Sequence, residues 1–362
     1  MASLHDASFF CIPETALPHT EQINYRLLYC VISLCSGFLG MFGSCYQLFA
    51  WKQKMTEWPR RRSSRPTTNP EIIFYLAASN LMSCLGVIIR SMAMLLTKAP
   101  HVSSVWVNIT NTSWYEIYSN NKCDNQAIPH GEKNVFIWGS IVEAFTQFSF
   151  GASVIWTFLY SVDTYSQLVG FHISSKAYHS ISWVLAGVMA IGSQLSVSIG
   201  LTPPYSCADG PRLIIRYFFA YMPMLVVLIL NPVFLWSTHR QAKKRMVSYS
   251  VTFTDTERKS LTKLRQKFIT IVFLFTLCWV PNQIDSALQI SLNIDCIYSS
   301  TSTFNVFFPL WVIEAFLNPL QGLFNCLVFG RRFACCDRTG ERIRVSTQDS
   351  FSVISSERQT LL

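Results

Sequence analysis

Seven long apolar runs alternate with polar segments along this chain, and each is long enough to cross a bilayer. They extend over Leu27–Trp51, Ile72–Leu96, Val135–Val162, Tyr178–Leu201, Leu213–Ser237, Phe268–Leu292 and Phe304–Phe329. At a rise of about 1.5 Å per residue, roughly twenty residues cross the hydrocarbon core, so the pattern predicts a bundle of seven tilted helices. The short alternating strands of an outer-membrane barrel are absent. The chain then divides into an amino-terminal segment (1–26), a seven-helix body (27–329) and a juxtamembrane helix with a tail (330–362).

Composition agrees with an all-α membrane protein. Half of the residues are hydrophobic and only 14% are charged, where soluble domains carry about 25%. Disorder, collagen and a secreted disulfide scaffold are excluded. The net charge of +9 does not imply nucleic acid, because the bases sit in short blocks between apolar runs. Their placement orients the chain. Lys52 to Arg65, Lys176, Arg240 to Lys267 and Arg331 to Arg358 put twenty-two bases on one side. Arg26, Lys98, Lys122, Lys133 and Arg212 put five on the other. The positive-inside rule predicts a lumenal or extracellular amino terminus and a cytosolic carboxyl terminus.

Two marks agree with that orientation. The sequons at Asn108 and Asn111 lie between the second and third runs, on the lumenal side. Cys11, Cys123, Cys207 and Cys296 fall there too. They admit three pairings, of which Cys123–Cys207 with Cys11–Cys296 is expected. Residues 1–25 lack a basic start and an apolar run, so the first span is expected to direct insertion itself.

Residue types then test the seven-helix classes. Covalent retinal needs a buried lysine, normally in the last helix, and 304–329 contains none. A membrane metallohydrolase needs clustered ligands, but the histidines are scattered, with His172 and His179 sharing a helix face at best. No metal, cofactor or enzymatic role is expected. The repeated halves of many transporters are also absent. A receptor remains: a bundle with a lumenal pocket and a basic cytosolic face.

Signs of a moving bundle lie in the late spans. Cys278-Trp279-Val280-Pro281 is in the sixth, Asn231-Pro232 in the fifth and Asn318-Pro319 in the seventh. A proline removes a helical bond and kinks the helix, and a neighbouring tryptophan can register the bend. Trp279, Pro281, Asn318 and Pro319 are therefore candidate switch residues, although proline is also simply tolerated in membrane helices. Asp163-Thr164-Tyr165 closes the third span. Rhodopsin-like receptors place an arginine between such an acid and tyrosine, so a lock built on that arginine cannot form here. Asp163 is expected to pair with a base of the 240–267 segment, and Tyr165 joins it as a switch residue.

Several stretches resemble the ocular albinism type 1 receptor family. These are Leu85-Gly86-Val87-Ile88-Ile89-Arg90-Ser91, Tyr160-Ser161-Val162-Asp163-Thr164-Tyr165 and Leu317-Asn318-Pro319-Leu320-Gln321-Gly322, together with Thr254-Asp255-Thr256-Glu257-Arg258-Lys259 and the following Lys263–Cys278–Trp279 run. The resemblance covers nearly all seven spans in order and is weakest in the tail. It implies a G-protein-coupled receptor of melanosomes and endolysosomes responding to L-DOPA and related catechols. The chain is more distantly similar to the slime-mould cyclic-AMP receptor-like group. One departure concerns the pocket roof: Cys123 lies well upstream of the third span, where the family's loop cysteine stands at its start.

Ionisable groups inside a bilayer cost about 2.5–3.5 kcal/mol each and mark function by default. Arg90, Glu143, Arg216, Asp285 and Glu314 all count into the lumenal halves of their helices. Three acids against two bases suit a zwitterion or an amine, with the ammonium on an acid and a carboxylate on an arginine fork. Trp138, Trp311 and Tyr221 are placed to sandwich a ring. Internal ion pairing is the competing reading, and Arg216 can snorkel to the interface. A proton or cation relay through Glu143, Asp285 and Glu314 would instead make the chain a transporter.

On the cytosolic side, the basic segment between spans 5 and 6 carries an apolar stripe at Leu261, Leu264 and Phe268, which points to contact with a partner; the resemblance implies a heterotrimeric G protein and arrestin as partners. Basic loops also orient any membrane protein and attract anionic lipids. Cys335 and Cys336 follow Gly330-Arg331-Arg332-Phe333 and read as palmitoylation sites on an interfacial helix. Residues 346–356 are Ser-rich and open to phosphorylation. Glu357 with Leu361 and Leu362 is similar to the acidic dileucine signals read by clathrin adaptor complexes. It predicts a melanosomal or endolysosomal location, with the plasma membrane as alternative.

Overall fold

A computed structural model describes residues 19–57, 70–96, 133–171, 173–199, 218–249, 255–292 and 301–330. Among these are seven long helices and no strand: α1 (His19–Glu57), α2 (Pro70–Leu96), α3 (Lys133–Val169), α4 (Ser175–Ile199), α5 (Met222–Tyr249), α6 (Asp255–Leu292) and α7 (Thr301–Asn325). A π-helical turn, Cys326–Gly330, continues α7. Arg216, Asn108, Asn111, Cys11, Cys123, Cys207, Cys296, Cys335, Cys336, Glu357, Leu361 and Leu362 lie outside the described residues, as does the side chain of Trp138.

Helix ends follow local chemistry. Pro70 opens α2, where its missing N–H costs nothing, and Glu71 stands in the first turn against the positive end of the helix dipole. At the end of α3, Gly170 adopts a φ of 91°. The N–H groups of Gly170 and Phe171 then both donate to the Ser166 carbonyl, at 3.0 and 2.9 Å. A residue without Cβ tolerates that turn. Ser174 caps α4 by accepting the Ala177 N–H at 3.3 Å.

Burial runs opposite to that of a soluble domain. Large apolar residues are exposed at helical spacing: Ile181, Val184, Val188 and Ile191 on α4, and Met222, Val226, Ile229, Val233 and Trp236 on α5. Inside, α3 presents Thr146, Ser149, Ser153, Thr157, Ser161 and Thr164, all buried. Lipid as solvent accounts for both faces, since apolar stripes lose nothing there and polar groups must find partners within the protein. Most of these hydroxyls bond back to their own helix, as Thr157 does to the Ser153 carbonyl at 2.9 Å.

Five helices carry stretches long and apolar enough to cross a membrane: Leu27–Gln53, Glu71–Ala93, Phe218–Lys244, Leu261–Leu288 and Phe307–Phe329. Among the described residues α3 and α4 do not. For α3 the physical reason is position, because it packs against α2, α4 and α5 and its polar row faces other helices. The ring of neighbours closes through α5 on α6, α6 on α7, and α7 on α1 and α2. α6 begins thirteen residues before the expected apolar run, so much of the basic segment is helix.

α1 and α7 approach most closely at glycines. A Cβ on Gly40 would strike the Pro319 carbonyl, and one on Gly322 would strike the Ser44 hydroxyl and the Gly40 carbonyl. Small residues allow this backbone contact, which is a main source of helix association in lipid.

Candidate functional site

Proline chemistry shapes the middle of the bundle. Pro319 has no N–H to offer the Ala315 carbonyl one turn earlier. The hydroxyl of Ser36, on α1, fills that gap by donating to Ala315 O at 2.7 Å. The Pro319 carbonyl in turn accepts a weak bond from Cys84 Sγ at 3.5 Å. Asn282 follows Pro281 on α6 and faces Asn318, which precedes Pro319 on α7. Each amide donates to the other, at 2.9 and 3.1 Å. Asn282 also donates to the Cys278 carbonyl at 3.2 Å. The two helices are thus fastened to each other beside their prolines.

One turn beyond this pair lie two buried acids. Asp285 on α6 accepts the indole N–H of Trp311 at 3.1 Å. Glu314 on α7 is 1% exposed and close enough to Asp285 for their charges to interact. Trp311 therefore orients an acid rather than presenting a free ring. Below, Trp279 is fully buried, edge-on to Phe150 of α3 at 5.8 Å, and near Phe275. Its indole N–H has no hydrogen-bond partner among the described residues.

A second charged group lies beside α7. Arg90 is 8% exposed. It lines a cavity of about 10 Å³ with Tyr29, Ser33, Ser91, Phe150 and Asn318. That volume holds about one water, far less than a catechol amino acid. Gly86 packs against Thr146 where α2 and α3 run antiparallel, and counting one turn from each places Arg90 level with Glu143, itself buried. Asn318 both lines the Arg90 cavity and bonds Asn282. Tyr221 is buried at the start of α5. Of the five expected charged residues, four are described, and all four lie inside the bundle.

Polar contacts also tie α3 to its neighbours. Ser153 donates to Asn80 of α2 at 2.5 Å, and Ser161 donates to Asn231 of α5. Asp163 accepts from Tyr178 of α4 at 3.0 Å and from Gln167 at 2.9 Å. Tyr165 lies edge-on to Phe234 of α5. Of the basic segment, Lys267 reaches the Tyr160 hydroxyl at 2.7 Å. Leu261 and Phe268 are buried and Leu264 packs on the core, so the stripe expected to meet a partner is occupied by the bundle in this state. Sequence reasoning passed over Asn282, Tyr178 and Ser36. For Asn282 a signal existed, an amide directly after a mid-helix proline.

Comparison with known proteins gives this arrangement a family. The human protein named G-protein coupled receptor 143 is 25% identical over 339 residues, covering 91% of this chain and 77% of its own. The family model described as ocular albinism type 1 protein matches residues 1–357. This multi-pass helical membrane protein belongs to the ocular albinism type 1 protein family.

Proposed function

We propose that the chain is a receptor coupled to heterotrimeric G proteins, sensing small catechol or aromatic amino acids such as L-DOPA, tyrosine or dopamine. The observation that carries this reading is the buried pair Asp285 and Glu314, set one turn from the Asn282–Asn318 bond between two helices that each hold an internal proline. An ammonium entering between the acids would hydrogen-bond to both and draw on the same two helices whose relative position a receptor must change. Arg90, which shares a cavity with Asn318, would take a carboxylate. The cavity beside Arg90 is too small for such a ligand, so binding there requires the helices that line it to part. The name of the human relative, which is that of a G-protein coupled receptor, supports coupling as the output. No enzymatic step is assigned.

Nucleotide exchange on a purified G protein, driven by L-DOPA, tyrosine and dopamine, tests this. Glu314→Gln is expected to weaken all three by about tenfold or more, equal to about 1.4 kcal/mol. Arg90→Gln should weaken the two amino acids and spare dopamine, which has no carboxylate. Exchange that no member of the panel stimulates, with proton or cation flux appearing in proteoliposomes, would replace the receptor with a relay.

For location, we read the positive-inside bias as placing Glu357, Leu361 and Leu362 in the cytosol, within reach of a clathrin adaptor. Leu361→Ala combined with Leu362→Ala is expected to move most of the protein from melanosomal or endolysosomal membranes to the cell surface, measured by surface biotinylation. An unchanged surface fraction would make the dileucine idle. Arrestin binding, glycosylation at Asn108 and Asn111, and palmitoylation at Cys335 and Cys336 belong to the same reading.

A further inference from the structure

At the basic end of the bundle one ammonium is shared by three elements. Lys267 of α6 donates to the Tyr160 hydroxyl of α3 at 2.7 Å. Its Nζ lies 5.1 Å from the centre of the Tyr160 ring and 4.7 Å from that of Phe329, in the π-helical turn after α7. The two rings meet edge to face at 5.0 Å, and both are buried. Both ring distances fall within the roughly 6 Å range of a cation–π contact. We propose that Lys267 is a latch that holds the basic end of α6 inward against α3 and the end of α7, and that its release is the step that frees α6 to swing.

Geometry makes this contact sensitive to motion. The pivot available to α6 is Pro281, fourteen residues beyond Lys267, or about 21 Å along the axis. A bend of about 10° there displaces Lys267 by roughly 4 Å, enough to carry the ammonium out of range of both rings. The other partner is held fast. One turn past Tyr160, Asp163 is tied to Tyr178 of α4, and the Tyr160 carbonyl takes the Thr164 hydroxyl at 2.7 Å. A lysine suits such a latch because its charge is compact and its stem long, so it lets go without rearranging a planar fork. A contact of this kind shifts a two-state balance by roughly twofold to thirtyfold, enough to hold a resting state and weak enough to yield to a ligand.

The latch is tested on the full chain in lipid nanodiscs. Fluorophores are placed by unnatural amino acids at exposed Val169 on α3 and exposed Lys259 on α6, leaving the 12 cysteines in place. Lys259 stands about 33 Å from Pro281, so Lys267→Met is expected to lengthen the separation by roughly 6 Å for the same bend, and Lys267→Arg, which keeps the cation, to restore it. Should Lys267→Met fail to yield dispersed protein, Phe329→Leu removes one ring and reads the same change. An unaltered separation in these variants overturns the latch. Its signalling consequence rests on the receptor reading: basal nucleotide exchange should rise severalfold with the separation. A longer separation without a rise in exchange upholds the latch and counts against the receptor.

Discussion

Gly40→Ala is expected to be the most damaging single-methyl change in the bundle. The new Cβ would fall inside the contact distance of the Pro319 carbonyl and 2.8 Å from Cys84 Sγ. The carbonyl belongs to backbone that Ser36 and Cys84 already tie down, so the helices must separate rather than a side chain rotate. Overpacking of this kind costs about 3 kcal/mol, enough to reduce the monodisperse fraction in detergent and to lower the melting midpoint. Gly187→Ala on α4 provides the control, because nothing stands within 4 Å of its Cβ. There the gain in helix propensity is free to act. Equal melting of the two variants would show that the α1–α7 contact is not tight.

Asn318→Leu is expected to cost about 2 kcal/mol, because it leaves the buried Asn282 amide without its reciprocal partner. Asn282→Leu should cost a similar amount. The double variant is expected to cost less than the sum of the two, since both polar groups then leave the interior together. Denaturation in detergent read by tryptophan fluorescence measures the cycle. Additive costs would mean that the two amides stabilise the bundle separately.

The helices were readable because lipid imposes the same requirement on each of them: an apolar stretch of fixed length. That rule worked for α1, α2, α5, α6 and α7 and is weaker for α3, whose inward row of Ser and Thr lowers its hydropathy. It is silent on the helix that precedes the apolar run of α6, because Asp255 to Lys267 is charged and leans on the bundle by way of Leu261. Charge inside an apolar run drew attention to Arg90, Glu143, Asp285 and Glu314, and all four are buried. Their grouping was not readable. Which acid meets Trp311 depends on how helices distant in sequence are rotated. Ser36 and Tyr178 were invisible for the same reason, since a lone hydroxyl carries no pattern along the chain.

The Ser36 bond to Ala315 has one more consequence. Its donor and its acceptor sit on different helices, so bending α7 at Pro319 cannot be a private event of that helix. Either α1 travels with it as a splint, or the carbonyl is surrendered to water admitted from the Arg90 cavity. The first helix, usually regarded as a mere membrane anchor, would then set how stiff the last one is.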